Sequence, residues 1–219
     1  MNQRNDRIKE LRKKIIENDF KRMNQMQRQA VFCIEGPLLI LAGAGSGKTT
    51  VLVNRIANLI KYGSAYNSER VPFEFSDEEI EELEACADKK TKISDELQKK
   101  LAVNAVRPWQ ILAITFTNKA AGELKERIAA RIEDGGENIW ASTFHSTCAR
   151  ILRRYGDRIG YTNSFTVYDT ADQKRLIKDC LKSLGMDEKI LPHRAVLSEI
   201  SKAKDKLMTP QDFLKAAQS

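Results

Sequence analysis

Three short apolar runs, residues 38–42, 111–115 and 139–143, interrupt a chain whose remaining apolar positions fall mostly at helical spacing. Runs of four or five such residues bounded by glycine or polar turns read as parallel strands covered on both faces. Between and after them lie amphipathic stretches. Residues 48–61 carry Val51, Leu52, Ile56, Leu59 and Ile60, residues 120–132 align Leu124, Ile128 and Ile132 on one face, and residues 146–155 form a third helical stretch. Strands of about five residues alternating with helices of about twelve predict an α/β fold, a parallel sheet flanked by helices. After Gly156 the rhythm changes. Residues 165–168 are at most one more strand; Asp169 caps a helix ending before Gly185, another helix covers about 193–206, and Thr209-Pro210 opens a third. This is the start of a second, helical subdomain.

Two segments stand outside that rhythm. Near the N-terminus, Ile8, Leu11 and Ile15 sit at helical spacing among Arg4, Arg7, Lys9, Arg12, Lys13 and Lys14, predicting a solvated amphipathic helix ordered by a partner. Asn24 then caps a helix through Gln27, Ala30 and Val31. Residues 64–107 break the strand–helix alternation: Ser76 and Glu79 make a capping box before an acidic helix, and Ser94 caps another. The expected organisation is a basic N-terminal helix over 1–19, an α/β subdomain over 20–158 with 64–107 inserted, and a helical subdomain over 159–219. Two readings of the insertion compete, a surface elaboration and a docking hairpin for a protein partner.

Charge sharpens this division. The chain carries 37 Lys+Arg against 30 Asp+Glu, a net +7, whereas 64–107 holds seven basic and eleven acidic residues and leaves the remainder at +11. A basic remainder suits a polyanion partner, and the acidic insertion reads as a poor surface for one. Cys33, Cys86, Cys148 and Cys180 are scattered, with only His145 and His193 as companions, so neither a zinc site nor a disulfide framework is expected. No apolar run is long enough to span a membrane and no signal-peptide pattern is present, which predicts a cytoplasmic protein.

The chemistry concentrates at strand ends. Residues 42–50 read Ala-Gly-Ala-Gly-Ser-Gly-Lys-Thr-Thr. Gly43, Gly45 and Gly47 allow a tight turn with inward N–H groups, Lys48 can reach the β- and γ-phosphates, and Thr49 offers a hydroxyl to Mg²⁺. The helix that follows points its positive end at the anion. Ala44, Gly45, Ser46, Gly47, Lys48, Thr49 and Thr50 are therefore the candidate phosphate site, with Lys48 and Thr49 serving catalysis. Ala42 stands where G-x-x-x-x-G-K-[ST] starts with glycine. At the end of the second apolar run, Thr115, Phe116, Thr117, Asn118 and Lys119 offer polar groups around one aromatic ring, and Thr143, Phe144 and His145 repeat the arrangement after the third. Phosphate contacts with base stacking on Phe116 are one reading. A capped turn with a core phenylalanine is the other, and residue chemistry alone weights them equally.

These motifs in this order resemble superfamily 1 DNA helicases of the UvrD/PcrA/Rep group, PcrA-like members above all. The resemblance runs through Met23 to Val31, Ala42 to Thr49, Ile114 to Ala121, Ser142 to Ser146 and Ala149 to Arg154, and weakens over Ser201 to Asp205. It implies a RecA-like P-loop sheet, ATP with Mg²⁺, adenine read by Gln27, and single-stranded DNA held by the two aromatic loops. It further implies a 3′→5′ helicase or translocase of DNA repair acting at single-strand/duplex junctions. The resemblance covers nearly everything except the N-terminal helix and 64–107. Thr50 departs from it, replacing an arginine, and no apolar run leads into an Asp-Glu pair, so this stretch by itself is expected to be inactive. The motor portion of a helicase–nuclease is an alternative, and a P-loop small-molecule kinase with 64–107 as its lid is another.

Overall fold

The computed structural model describes residues 2–132 and 135–218. The chain divides into two compact units, residues 1–151 and 152–219.

The first unit is organised around one helix. Helix α1 (Asn2–Asp19) leads through a short turn to α2 (Gln25–Phe32), and the phosphate loop opens α3 (Lys48–Lys61). Helices α4 (Asp77–Ala87) and α5 (Asp95–Leu101) occupy the insertion. Strand β1 (Leu112–Thr115), helix α6 (Asn118–Arg131), strand β2 (Trp140–Thr143) and helix α7 (Phe144–Tyr155) follow. Strands β1 and β2 pair in parallel with Leu112 opposite Trp140 and Thr115 opposite Thr143. Val53, Ile56 and Ala57 of α3 join Leu124 and Ile128 of α6 over Ala113 and Ala141, covering one face of the ribbon. Another side of α3 places Val51 with Val31 and Phe32 of α2 and with Ile16, Phe20 and Tyr62. One amphipathic helix thus joins two apolar clusters.

Two expectations change. Residues 38–42 belong to no strand, and their exposure alternates: Leu38 39%, Leu39 80%, Ile40 38%, Leu41 86%. A strand exists only as a hydrogen-bonded ladder, and among the described residues the sheet consists of β1 and β2 alone. Side chains suited to burial on both faces therefore stay at the surface. Residues 165–168 are also irregular, with Val167 and Tyr168 exposed.

The N-terminal helix is not a solvated element either. Ile8, Leu11 and Ile15 are buried against Phe75, Leu83, Leu97 and Leu101 of the insertion. The two segments that interrupt the α/β pattern are one packing module, and their opposite charges are matched. Arg4 pairs with Asp77 at 2.8 Å, Arg7 with Glu84 at 2.6 Å and Lys9 with Glu69 at 2.7 Å. Arg12 is buried and donates to the carbonyls of Ser68 and Arg70, while burial lowers its pKa. The Ser76–Glu79 capping box forms as its spacing predicts. Ser94 occupies the N-cap of α5 without a side-chain bond.

The second unit contains α8 (Thr170–Ser183), α9 (His193–Asp205) and α10 (Pro210–Gln218). Asp169 closes a capping box with Asp172 at the head of α8. Thr209 does the same with Asp212 at α10, where the two hydrogen bonds from Thr209 hold the Asp212 carboxyl below its ordinary range. Leu181 is its one buried apolar side chain among the described residues.

Candidate nucleotide and nucleic-acid site

Glycine is required at two points of the phosphate loop. Gly45 has φ +75° and Gly47, the N-cap of α3, has φ +83°. Both values lie in the left-handed region, where a side chain is strained. A Cβ on Gly47 would also lie 3.0 Å from Nε2 of Gln27. The turn is held from within, since the Ser46 hydroxyl donates to the Gly43 carbonyl at 2.7 Å. Lys48 folds back into the loop and donates to the carbonyls of Ala42 at 2.8 Å and Gly43 at 2.6 Å. Thr49 and Thr50 are exposed in the first turn of α3, whose leading N–H groups have no carbonyl of their own helix to bind.

Gln27 reaches this loop from α2. Its Oε1 accepts from the Asn24 backbone N–H at 3.1 Å, completing a capping box, and its Nε2 donates to the Ser46 carbonyl at 3.2 Å. The side-chain amide is thereby oriented, with one donor and one acceptor position still open. A cavity of about 460 Å³ lies beside it, lined by Asn24, Gln27, Leu39, Leu41 and Lys48. Sequence reasoning missed the groups that anchor α2. Arg55 donates to the Ala30 carbonyl at 2.8 Å and Asn58 to that of Val31 at 3.3 Å. Arg55 and Asn58, three apart among Val53, Ile56, Ala57 and Leu59, were the available signal. Phe32 also stacks on Tyr66, ring centroids 4.0 Å apart, and burial with the neighbouring Glu17 carboxylate pushes the Tyr66 hydroxyl up to about 12.

The two aromatic loops meet. Thr115 and Thr143 are register partners at the ends of β1 and β2, and the next residues, Phe116 and Phe144, bring their rings to 5.5 Å. Phe116 is 89% exposed and Phe144 48%, so neither is a core residue. The hydroxyls around them serve the backbone in part. Thr117 caps α6 by accepting from Ala120 N–H at 3.2 Å, Thr115 donates to the Thr117 carbonyl at 3.0 Å, and buried Thr143 accepts from Ser146 N–H at 3.2 Å. Asn118, Lys119 and His145 are exposed at the helix starts that follow. The capped-turn reading therefore holds for the threonines, and the core-phenylalanine half of it does not.

A family model described as the UvrD/REP helicase N-terminal domain matches residues 23–219. The chain belongs to that family. Among relatives, the ATP-dependent DNA helicase PcrA of Bacillus subtilis is 42% identical over 195 residues, covering 89% of this chain and 21% of that protein. PcrA of Staphylococcus aureus (strain Mu50) is 44% identical over 195 residues with the same coverage. The chain thus spans about a fifth of the length of the curated relatives it matches. Membership in the UvrD/REP family sets the small-molecule kinase aside. Among the described residues no helix is long and apolar enough to cross a membrane, and no cluster of three or more His, Cys, Asp or Glu could hold a metal ion.

The loop nonetheless fits a magnesium–nucleotide complex. Magnesium keeps several waters and binds through substrate phosphates with one or two protein oxygens, so the exposed Thr49 hydroxyl beside Lys48 and the free amides of α3 is a sufficient donor set.

Proposed function

We propose that this chain is the nucleotide- and single-strand-binding part of an ATP-driven 3′→5′ DNA helicase acting at single-strand/duplex junctions in DNA repair. Gln27 would present its remaining donor and acceptor to the adenine edge, N7 and the N6 amino group. Guanine, with O6 in place of that amino group, cannot match both. The amides of residues 44–49 and the Lys48 ammonium would cradle the phosphates, with Thr49 on Mg²⁺. Bound Mg²⁺ would neutralise developing charge on the transferred phosphoryl group. Thr50 sits in the same turn, without the charge that an arginine would bring. In this reading the sheet is RecA-like, and residues 38–42 complete it once strand neighbours lie on either side. Residues 20–158 form the motor subdomain and 159–219 part of a helical one.

The observation that carries the reading is the pair of exposed rings, Phe116 and Phe144, at the ends of adjoining parallel strands. Ligands of parallel α/β sheets gather at those ends, and exposed aromatic faces beside a lysine suit successive bases with their phosphates. Fluorescence anisotropy with a labelled single-stranded oligonucleotide tests it in the whole protein. Phe116→Ala should weaken binding by ~1–3 kcal/mol at every salt concentration. Lys119→Ala should instead flatten the salt dependence by about one phosphate equivalent. Unchanged single-strand binding in Phe116→Ala would refute the assignment. Hydrolysis by this chain alone should be negligible, because its sequence supplies no Asp-Glu pair after an apolar run to polarise water.

A further inference from the structure

In the acidic insertion the carboxylates Asp77, Glu79 and Glu84 pair with Arg4, Lys100 and Arg7. Three of its five lysines, Lys89, Lys90 and Lys92, lie in the loop between α4 and α5, where Lys90 pairs with Asp88 at 3.3 Å. That loop forms one wall of a cavity of about 510 Å³ together with the turn after α1 and the C-terminal ends of α3 and α6. Five cations line it: Lys21, Lys61, Lys89, Lys92 and Arg131. Asp19 engages two of them, Arg131 at 2.8 Å and Lys61 at 3.6 Å. Lys21, Lys89 and Lys92 are exposed and have no carboxylate partner among the described residues. The other lining acid, Asp95, lies in the first turn of α5, where the helix's own amides offset part of its charge.

Lys89 gives the cleft its second mark. The chain leaves α4 with Lys90 N–H on the Ala85 carbonyl and Lys89 N–H on that of Cys86, a Schellman turn. Lys89 occupies its left-handed position with φ +63°. Glycine is the usual residue there, and a long cationic side chain is kept against that preference.

We propose that this cleft docks the phosphodiester backbone of duplex DNA, apart from the single-strand edge at Phe116 and Phe144. The inference rests on the DNA reading above and extends it to a second surface. Lys48 and Lys61 are the first and last residues of α3, so the cleft lies ~20 Å along that helix from the phosphate loop. Lysine ammoniums arriving from separate elements neutralise phosphates without reading sequence. The lining offers no exposed aromatic face on which an unpaired base could stack, since Tyr62 is buried. Its apolar lining is turned to the core, Ile15 and Cys86 being buried and half-buried Ile93 packing against the same cluster, which leaves little of the exposed apolar anchor that a protein segment needs at the centre of an interface. Backbone contact with a duplex remains.

Anisotropy on two substrates tests this in the whole protein, using a duplex with a single-stranded 3′ tail and the tail oligonucleotide alone. The triple variant Lys21→Glu, Lys89→Glu, Lys92→Glu should bind the tailed duplex at least ~10-fold more weakly and lower its salt slope by up to ~2.7, about 0.9 per phosphate. Binding of the tail alone and single-strand-stimulated hydrolysis should not change. Replacing the three lysines with arginine should preserve duplex binding. Lys89→Gly separates docking from folding, since glycine suits the left-handed position: it should melt no lower than the wild type yet bind the tailed duplex more weakly. Unchanged duplex binding in the triple variant would overturn the proposal and leave the cleft to an acidic protein segment. Equal weakening on both substrates would overturn it as well, as a general loss of positive charge. Failure of the single-strand reading shows separately, as tail binding that survives Phe116→Ala.

Discussion

Where α1 crosses the insertion, Ile8, Leu11 and Ile15 are buried, Arg12 is sequestered on two carbonyls, and basic side chains meet acidic ones at salt-bridge distance. Around the phosphate loop and the ends of β1 and β2, by contrast, Leu39, Leu41 and Phe116 face solvent and the leading amides of α3 lack helical partners. The first region has spent its chemistry on itself, and the second has kept its chemistry in reserve. A substitution in the first should cost stability and spare ligand binding for each folded molecule. In the second the pattern should reverse.

The largest expected effect is on the packed side. Leu83 is fully buried in the cluster that holds Ile8, Leu11 and Ile15, so Leu83→Ala should destabilise the protein by ~2–5 kcal/mol in denaturant melts. Nucleotide and DNA affinities measured well below the melt should stay unchanged. Lys48→Ala is the converse. It removes two hydrogen bonds to exposed loop carbonyls, so the melt should not move, while hydrolysis by the whole protein falls ~10²-fold or more. Both a stability loss and an activity loss in Lys48→Ala would blur the division between the two regions.

Gln27 belongs to both classes, holding a helix cap and facing the cavity. Gln27→Ala should cost ~1 kcal/mol of stability and raise the KM for ATP ~5-fold more than that for GTP. Equal effects on the two nucleotides would assign Gln27 to structure alone. The smallest effect is one of pH. Hydrogen bonds from Lys100 and Lys9 hold the Glu79 and Glu69 carboxyls below the ordinary 4.5. Depressed carboxylate values add stability above pH 4.5 that is lost as pH falls through the folded-state values. A thermal melt followed downward from neutrality should stay flat in this respect until that range. Lys100→Ala should then reduce the Glu79 share of the acid-side slope to what the Ser76 backbone N–H sustains, and leave ligand affinities at neutral pH untouched.

What could be read along the chain was local. The helix caps at Asn24, Ser76 and Asp169, the glycines at 45 and 47, and the period of α3 and α6 all follow from residues within one or two turns of each other, and each formed. The aromatic loops were legible as candidates, but only the pairing of β1 with β2 puts Phe116 beside Phe144. Residues 38–42 and 112–115 look alike in composition, and what separates them is a hydrogen-bonding neighbour, which no local pattern encodes. The union of α1 with the insertion was hidden for the same reason. Arg7 and Glu84 lie 77 positions apart, and the basic helix and acidic excursion gave no sign of each other except complementary charge.

The fallback bonds of Lys48 have a kinetic side. In the ATP-driven reading proposed above, spent nucleotide must leave on every cycle, and a cation with no other home would cling to the departing phosphates. Here the ammonium has a resting place on the Ala42 and Gly43 carbonyls, so a departing product would be met by a competitor already tethered to the site. In that reading the loop would carry its own means of eviction, and grip would be traded for turnover within the seven residues from Ala42 to Lys48.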